Sequence, residues 1–83
     1  MKILYFAWLR ERVGTGAEEV APPTTVATVG QLVDWLKARG GGHARALADP
    51  SLVRVAVNQE YVTLNHPVQP GDEIAFFPPV TGG

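Results

Sequence analysis

Thr28-Val29-Gly30-Gln31-Leu32-Val33-Asp34-Trp35-Leu36 is the stretch on which the fold turns. Thr28 precedes Gln31 by three residues, the spacing of a capping box, in which each side chain satisfies the other residue's free backbone amide. Behind the cap, Val29, Leu32, Val33 and Leu36 recur at i, i+3, i+4 and i+7, so they line one face of a helix. Lys37 and Arg39 fall where the last turn favours cations, and Gly40-Gly41-Gly42 is expected to terminate the element. Such a helix has one apolar face and needs one sheet surface to cover it.

The flanking segments supply that surface. Ile3-Leu4-Tyr5-Phe6 is short, aromatic and partly β-branched, which suits a strand. A short helix is expected over Ala7 to Val13, ending at Gly14, and a more exposed strand begins at Glu18-Glu19-Val20 and stops at Pro22-Pro23. Beyond the glycines, Ala44 to Ala48 is expected to add one helical turn. Val53-Arg54-Val55-Ala56-Val57 alternates as a strand, with Arg54 and Ala56 toward water and Val55 and Val57 toward the core. Tyr61-Val62-Thr63 follows the Asn58-Gln59-Glu60 turn. Pro70-Gly71-Asp72 turns into Ile74-Ala75-Phe76-Phe77, which Pro78-Pro79 stops.

The resulting order, β-β-α-β-β-β with one long helix, is the α+β pattern of a β-grasp domain with a mixed sheet. The domain is expected over 1–77 and a projecting tail over 78–83. Parity places Ile3, Tyr5, Ile74 and Phe76 under the helix, and Leu4, Phe6, Ala75 and Phe77 on the open face. An exposed Phe6–Phe77 patch beside Ala75 and Ala56, with Tyr61 at its rim, would need a covering partner.

Composition excludes most other classes. The 83 residues allow a single core, and seven basic against eight acidic residues give a net charge of −1. That balance offers no footprint for nucleic acid or an anionic membrane. The chain has no cysteine, so it cannot itself carry a disulfide, a thiolate metal site or a persulfide. Together with the absence of a signal-peptide pattern, this points to a cytoplasmic protein. Gly40-Gly41-Gly42 lacks the Lys-Ser/Thr of a phosphate loop, and Gly14-x-Gly16 lacks the third glycine of a dinucleotide fingerprint. His43 and His66 are read as loop residues without metal partners. Trp8 and Trp35 are read as packing residues, and Glu18-Glu19 and Asp72-Glu73 as solvated surface. No bound cofactor is expected, and no catalytic device belonging to this chain alone.

The carboxyl end is different. Pro78-Pro79 favours an extended backbone, and the segment from Pro78 to Gly83 can reach roughly 20 Å. Gly82 and Gly83 carry no side chains, so the tail is thinnest at its carboxylate and fits a narrow partner channel. The Gly83 carboxylate is then the reactive group. It is a poor electrophile and needs activation, for example as an acyl-adenylate formed from ATP by a partner.

The closing run Pro70-Gly71-Asp72-Glu73-Ile74-Ala75-Phe76-Phe77-Pro78-Pro79-Val80-Thr81-Gly82-Gly83 resembles that of the molybdopterin synthase small-subunit family. So do Tyr5-Phe6-Ala7, Arg10-Glu11, Val13-Gly14 and Ala56-Val57-Asn58-Gln59, and the likeness thus spans the chain. The resemblance implies a ubiquitin-like sulfur carrier. An E1-like adenylyltransferase would form a glycyl-adenylate at Gly83, and sulfur transfer would then give a thiocarboxylate. The tail would enter the large synthase subunit, in a 2+2 heterotetramer, and pass its sulfur to cyclic pyranopterin monophosphate. Phe77, Phe6, Ala75, Pro78, Pro79, Val80, Thr81 and Tyr61 would form the partner interface, and Arg10 would meet an acidic residue of the activating enzyme. The triple glycine and the segment around His43 look longer or more flexible than the family pattern. A ubiquitin-like modifier joined through Gly83 to lysines, a thiamin-type sulfur carrier, and a β-grasp module with an incidental Gly-Gly end remain as alternatives.

Overall fold

A computed structural model describes residues 1–79; the expectations for Val80, Thr81, Gly82 and Gly83 lie outside the described residues. Strands β1 (Lys2–Tyr5), β2 (Ala17–Glu19), β3 (Arg54–Val57), β4 (Glu60–Val62) and β5 (Glu73–Phe77) form one sheet in the order β2-β1-β5-β3-β4. β1 and β5 are parallel neighbours at its centre, and every other pairing is antiparallel. This is the mixed sheet of a β-grasp fold.

Helix α2 (Val29–Lys37) covers one face, and its cap forms as the sequence implies. Thr28 Oγ1 accepts from the Gln31 amide at 3.2 Å, while Gln31 Oε1 accepts from the Thr28 and Ala27 amides. Val29, Leu32 and Leu36 are fully buried against Ile3, Tyr5, Val55, Val57, Ile74 and Phe76 from the sheet. The inward parity predicted for β1, β3 and β5 therefore holds. Trp8 and Trp35 pack at the margin of the same core. No helix among the described residues is long and apolar enough to cross a membrane.

Several expectations are corrected. Helix α2 ends at Lys37 with Ala38 as its C-cap, ahead of the triple glycine predicted to stop it. The glycines instead start a helix, α3 (Gly41–Ala46), where a loop followed by a turn over Ala44 to Ala48 was predicted. Gly40 and Gly41 take positive φ of 75° and 54°, a reversal cheap only for glycine. Gly42 then packs on helix α1 (Trp8–Val13), so closely that a Cβ there would collide with the Arg12 carbonyl oxygen. His43 is accordingly a helix residue, and Arg39 lies beyond the end of α2. β2 and β4 each begin one residue earlier than predicted.

The two acidic pairs are not simply solvated surface. Asp72 is buried and accepts from Asn58 Nδ2 at 3.0 Å and the Gln69 amide at 2.9 Å. Asn58 Oδ1 in turn accepts from the Glu73 amide, so the β3–β4 turn is tied to the start of β5. Glu18 is the hub of a second network. Its Oε2 accepts from Tyr5 Oη at 2.7 Å and lies 2.7 Å from His43 Nε2, and its Oε1 accepts from the Arg39 guanidinium at 2.9 Å. Burial alone would raise the Glu18 pKa, but hydrogen bonds from His43, Tyr5 and Arg39 outweigh it and hold the carboxyl below its ordinary value. Burial, then the bond to Glu18, pushes the Tyr5 hydroxyl well above the usual tyrosine range.

Candidate functional site

The face of the sheet opposite α2 is built in rows by the strand register. At one end, Glu19, Lys2 and Glu73 stand side by side on β2, β1 and β5. The middle row runs Ala17, Leu4, Ala75, Ala56 and Tyr61. The last row holds Phe77 opposite Arg54, with Phe6 just past the end of β1. Charges of both signs thus sit together at one end of the face, while the middle and the other end are apolar apart from Arg54. The apolar end is where β5 stops and Pro78-Pro79 leads the chain away.

Phe6 is 48% exposed and Tyr61 82% exposed. Phe77 is half-buried, because the Tyr61 ring lies against it with centroids 5.5 Å apart and planes tilted by 43°. Ala75 is likewise half-buried. Ala56, predicted to face water, does lie on this face but is only 6% exposed. It is flanked by Ala75 and Tyr61 across the ladders, and its methyl group is too short to rise above them. Tyr61 is therefore part of the patch itself rather than its rim.

The backbone takes positive φ at three non-glycine positions, one beside the patch and two at the opposite end of the sheet. Ala7, directly after Phe6, has φ of 54°, and Asn58 and Gln59 in the β3–β4 turn have φ of 50° and 71°. The turn is of the left-handed kind that suits a two-residue hairpin. At Ala7 the reversal sends the chain from β1 into α1 and leaves Phe6 standing on the open face.

The structure thus brings Phe6, Phe77, Ala75 and Tyr61 together and sets Pro78 and Pro79 beside them. It does not bring Arg10 to this group. Arg10 is exposed on α1, with its guanidinium against Gly16 at the start of β2, two strands from β5. Sequence reading left Leu4 out of the site although its parity was legible, and it passed over Arg54, whose position opposite Phe77 depends on register.

Comparisons with known proteins agree with this architecture. A family model described as the ThiS family matches residues 3–83. The molybdopterin synthase sulfur carrier subunit of Escherichia coli (strain K12) is 49% identical over 83 residues, covering 100% of this chain and 99% of that protein. The Homo sapiens protein of the same name is 38% identical over 87 residues, covering 100% and 93%. Among solved structures, small archaeal modifier protein 1 of Haloferax volcanii superposes with a TM-score of 0.75 at 31% identity, covering 96% of this chain and 97% of that one. Sheet order, helix placement and these likenesses define a ubiquitin-like β-grasp domain. The chain belongs to the ThiS family.

Proposed function

We propose that this protein is the sulfur carrier of a molybdopterin synthase in molybdenum cofactor biosynthesis, and that Gly83 is its working group. The observation that carries the reading is the position of the apolar open face, directly beside the point where β5 gives way to the tail. A partner that covers Phe6, Ala75, Phe77 and Tyr61 receives the following residues at a fixed starting point, as a channel-entering tail requires. The relatives named as sulfur carrier subunits support the same function.

The chemistry proceeds through the carboxylate of Gly83. It attacks the α-phosphorus of ATP on an E1-like adenylyltransferase, and pyrophosphate leaves. Hydrosulfide then attacks the glycyl carbonyl, AMP departs, the thioacid loses its proton, and a thiocarboxylate remains. In the large subunit that sulfur passes to cyclic pyranopterin monophosphate, and water restores the carboxylate. Two charged carriers serve each dithiolene, in a 2+2 assembly. The carrier needs no bound cofactor, since ATP acts on the partner. Dependence on ATP and the lack of cysteine both suit the cytoplasm.

A second reading is a protein modifier, favoured by the fold shared with small archaeal modifier protein 1. The higher identity to sulfur carrier subunits ranks it second. Intact mass of the protein from its native cell separates the two. Exchange of one oxygen for sulfur identifies a carrier, and branched peptides on other proteins identify a modifier. Deletion of Gly83 leaves the fold intact and abolishes adenylation; molybdopterin formation by the shortened chain with its partners would sink the proposal.

A further inference from the structure

We infer that Arg54 is a charge anchor of the docking face, and that the large synthase subunit presents a carboxylate side chain to it in the recess between Tyr61 and Phe77. The inference rests on the sulfur-carrier reading and adds to it the chemistry of the partner surface.

The two ends of the open face are unequal. Lys2, at the far end, stands between Glu19 and Glu73 on neighbouring strands. Arg54 stands opposite Phe77, a neutral neighbour, and none of the ion pairs among the described residues includes it. Its guanidinium makes one long hydrogen bond, 3.4 Å, to the Val53 carbonyl oxygen. Beside it Tyr61, Val62, Val55 and Phe77 bound a recess of about 290 Å³.

A partner that closes on Phe77 and Tyr61 takes Arg54 out of water with them. The guanidinium cannot lose its proton, and a buried charge left without a counter-ion is strongly unfavourable. The covering surface must therefore bring an anion. A carboxylate matches the planar fork of donors by paired hydrogen bonds. A phosphate on the pterin substrate is the wrong source, because that substrate meets the sulfur at Gly83, beyond Phe77 along the chain, and not at the sheet face. The anion is accordingly an aspartate or glutamate of the partner. Because Arg54 is exposed in the free chain, its replacement leaves the fold undisturbed.

The test is a calorimetric titration of the large subunit from the same organism, at low and high salt, with a melting curve for each variant. Arg54→Met is expected to weaken binding roughly 30-fold or more and to flatten the salt dependence, with the melting temperature unchanged. Arg54→Glu is weaker still, and Arg54→Lys retains the salt dependence. Wild-type binding that Arg54→Met leaves unchanged in both affinity and salt response overturns this inference alone. A folded wild-type chain that does not bind the large subunit overturns the sulfur-carrier reading and the inference together.

Discussion

The rings of Tyr61 and Phe77 meet across strand β3, 5.5 Å apart, although their strands are not neighbours in the sheet. The contact runs diagonally over β3, where Ala56 stands opposite Tyr61 and Arg54 opposite Phe77, and the short Ala56 methyl group leaves room for it. Two aromatic residues thereby form one continuous surface from the edge of the sheet to its centre. Phe77→Ala is expected to weaken docking on the large subunit by about 2 kcal/mol or more, as for an aromatic anchor at the middle of an interface. Stability falls much less than for the buried Phe76. A titration beside a melting curve checks both. Domain unfolding with normal binding by the folded fraction would make Phe77 a core residue instead.

The Glu18 network makes stability sensitive to acid. Its carboxyl titrates below the ordinary glutamate value of 4.5 when folded, so between the two values the unfolded chain binds more protons. The contribution is complete above the ordinary value and is lost as pH falls through the folded one. Glu18→Gln should cost about 1–3 kcal/mol at neutral pH and flatten the acid limb of a plot of melting temperature against pH. An acid limb identical to that of the wild type would remove Glu18 as its source.

Gly42→Ala tests the junction of α1 and α3. The new methyl group meets the Arg12 carbonyl oxygen, a backbone atom that cannot rotate away. Destabilisation of about 1–3 kcal/mol is expected in denaturant titrations. Gly41→Ala, where a Cβ meets open space, should cost only the strain of its positive φ, about 1 kcal/mol. Equal losses at the two positions would show that packing is not the reason for glycine at 42.

Gln59 occupies the second left-handed position of the β3–β4 turn, where glycine is favoured. Gln59→Gly is expected to raise stability by about 0.5–1 kcal/mol, measured as a shift of the denaturation midpoint at constant slope. A loss would mean that the greater freedom of the unfolded glycine chain outweighs the strain relieved.

What could be read from the sequence was whatever repeats at short range. The cap at Thr28 and Gln31, the apolar face of α2 and the alternation along β1, β3 and β5 depend on spacings of two to four residues, and they gave the right elements and faces. The Glu18 network could not be read, because Tyr5, Arg39 and His43 stand 13, 21 and 25 residues from it and only the closed fold unites them. Helix α3 was missed for a related reason. Three glycines locally disfavour a helix, and the close contact of Gly42 with α1 explains why glycine stands there. At the candidate site, parity placed Phe6, Ala75 and Phe77 on the correct face. The burial of Ala56 and the position of Arg54 beside Phe77 needed the register between strands.

The central position of β5 has a mechanical consequence. A pull applied at Phe77 along the strand axis acts on β5, which is bonded on both sides, to β1 and to β3. Strand hydrogen bonds lie across that direction, so the load is shared in shear along the whole strand and does not open the bonds one after another. An edge strand would have half as many restraints. A load that enters the domain at Phe77 is thus resisted by two ladders at once, and the sheet behind it stays closed.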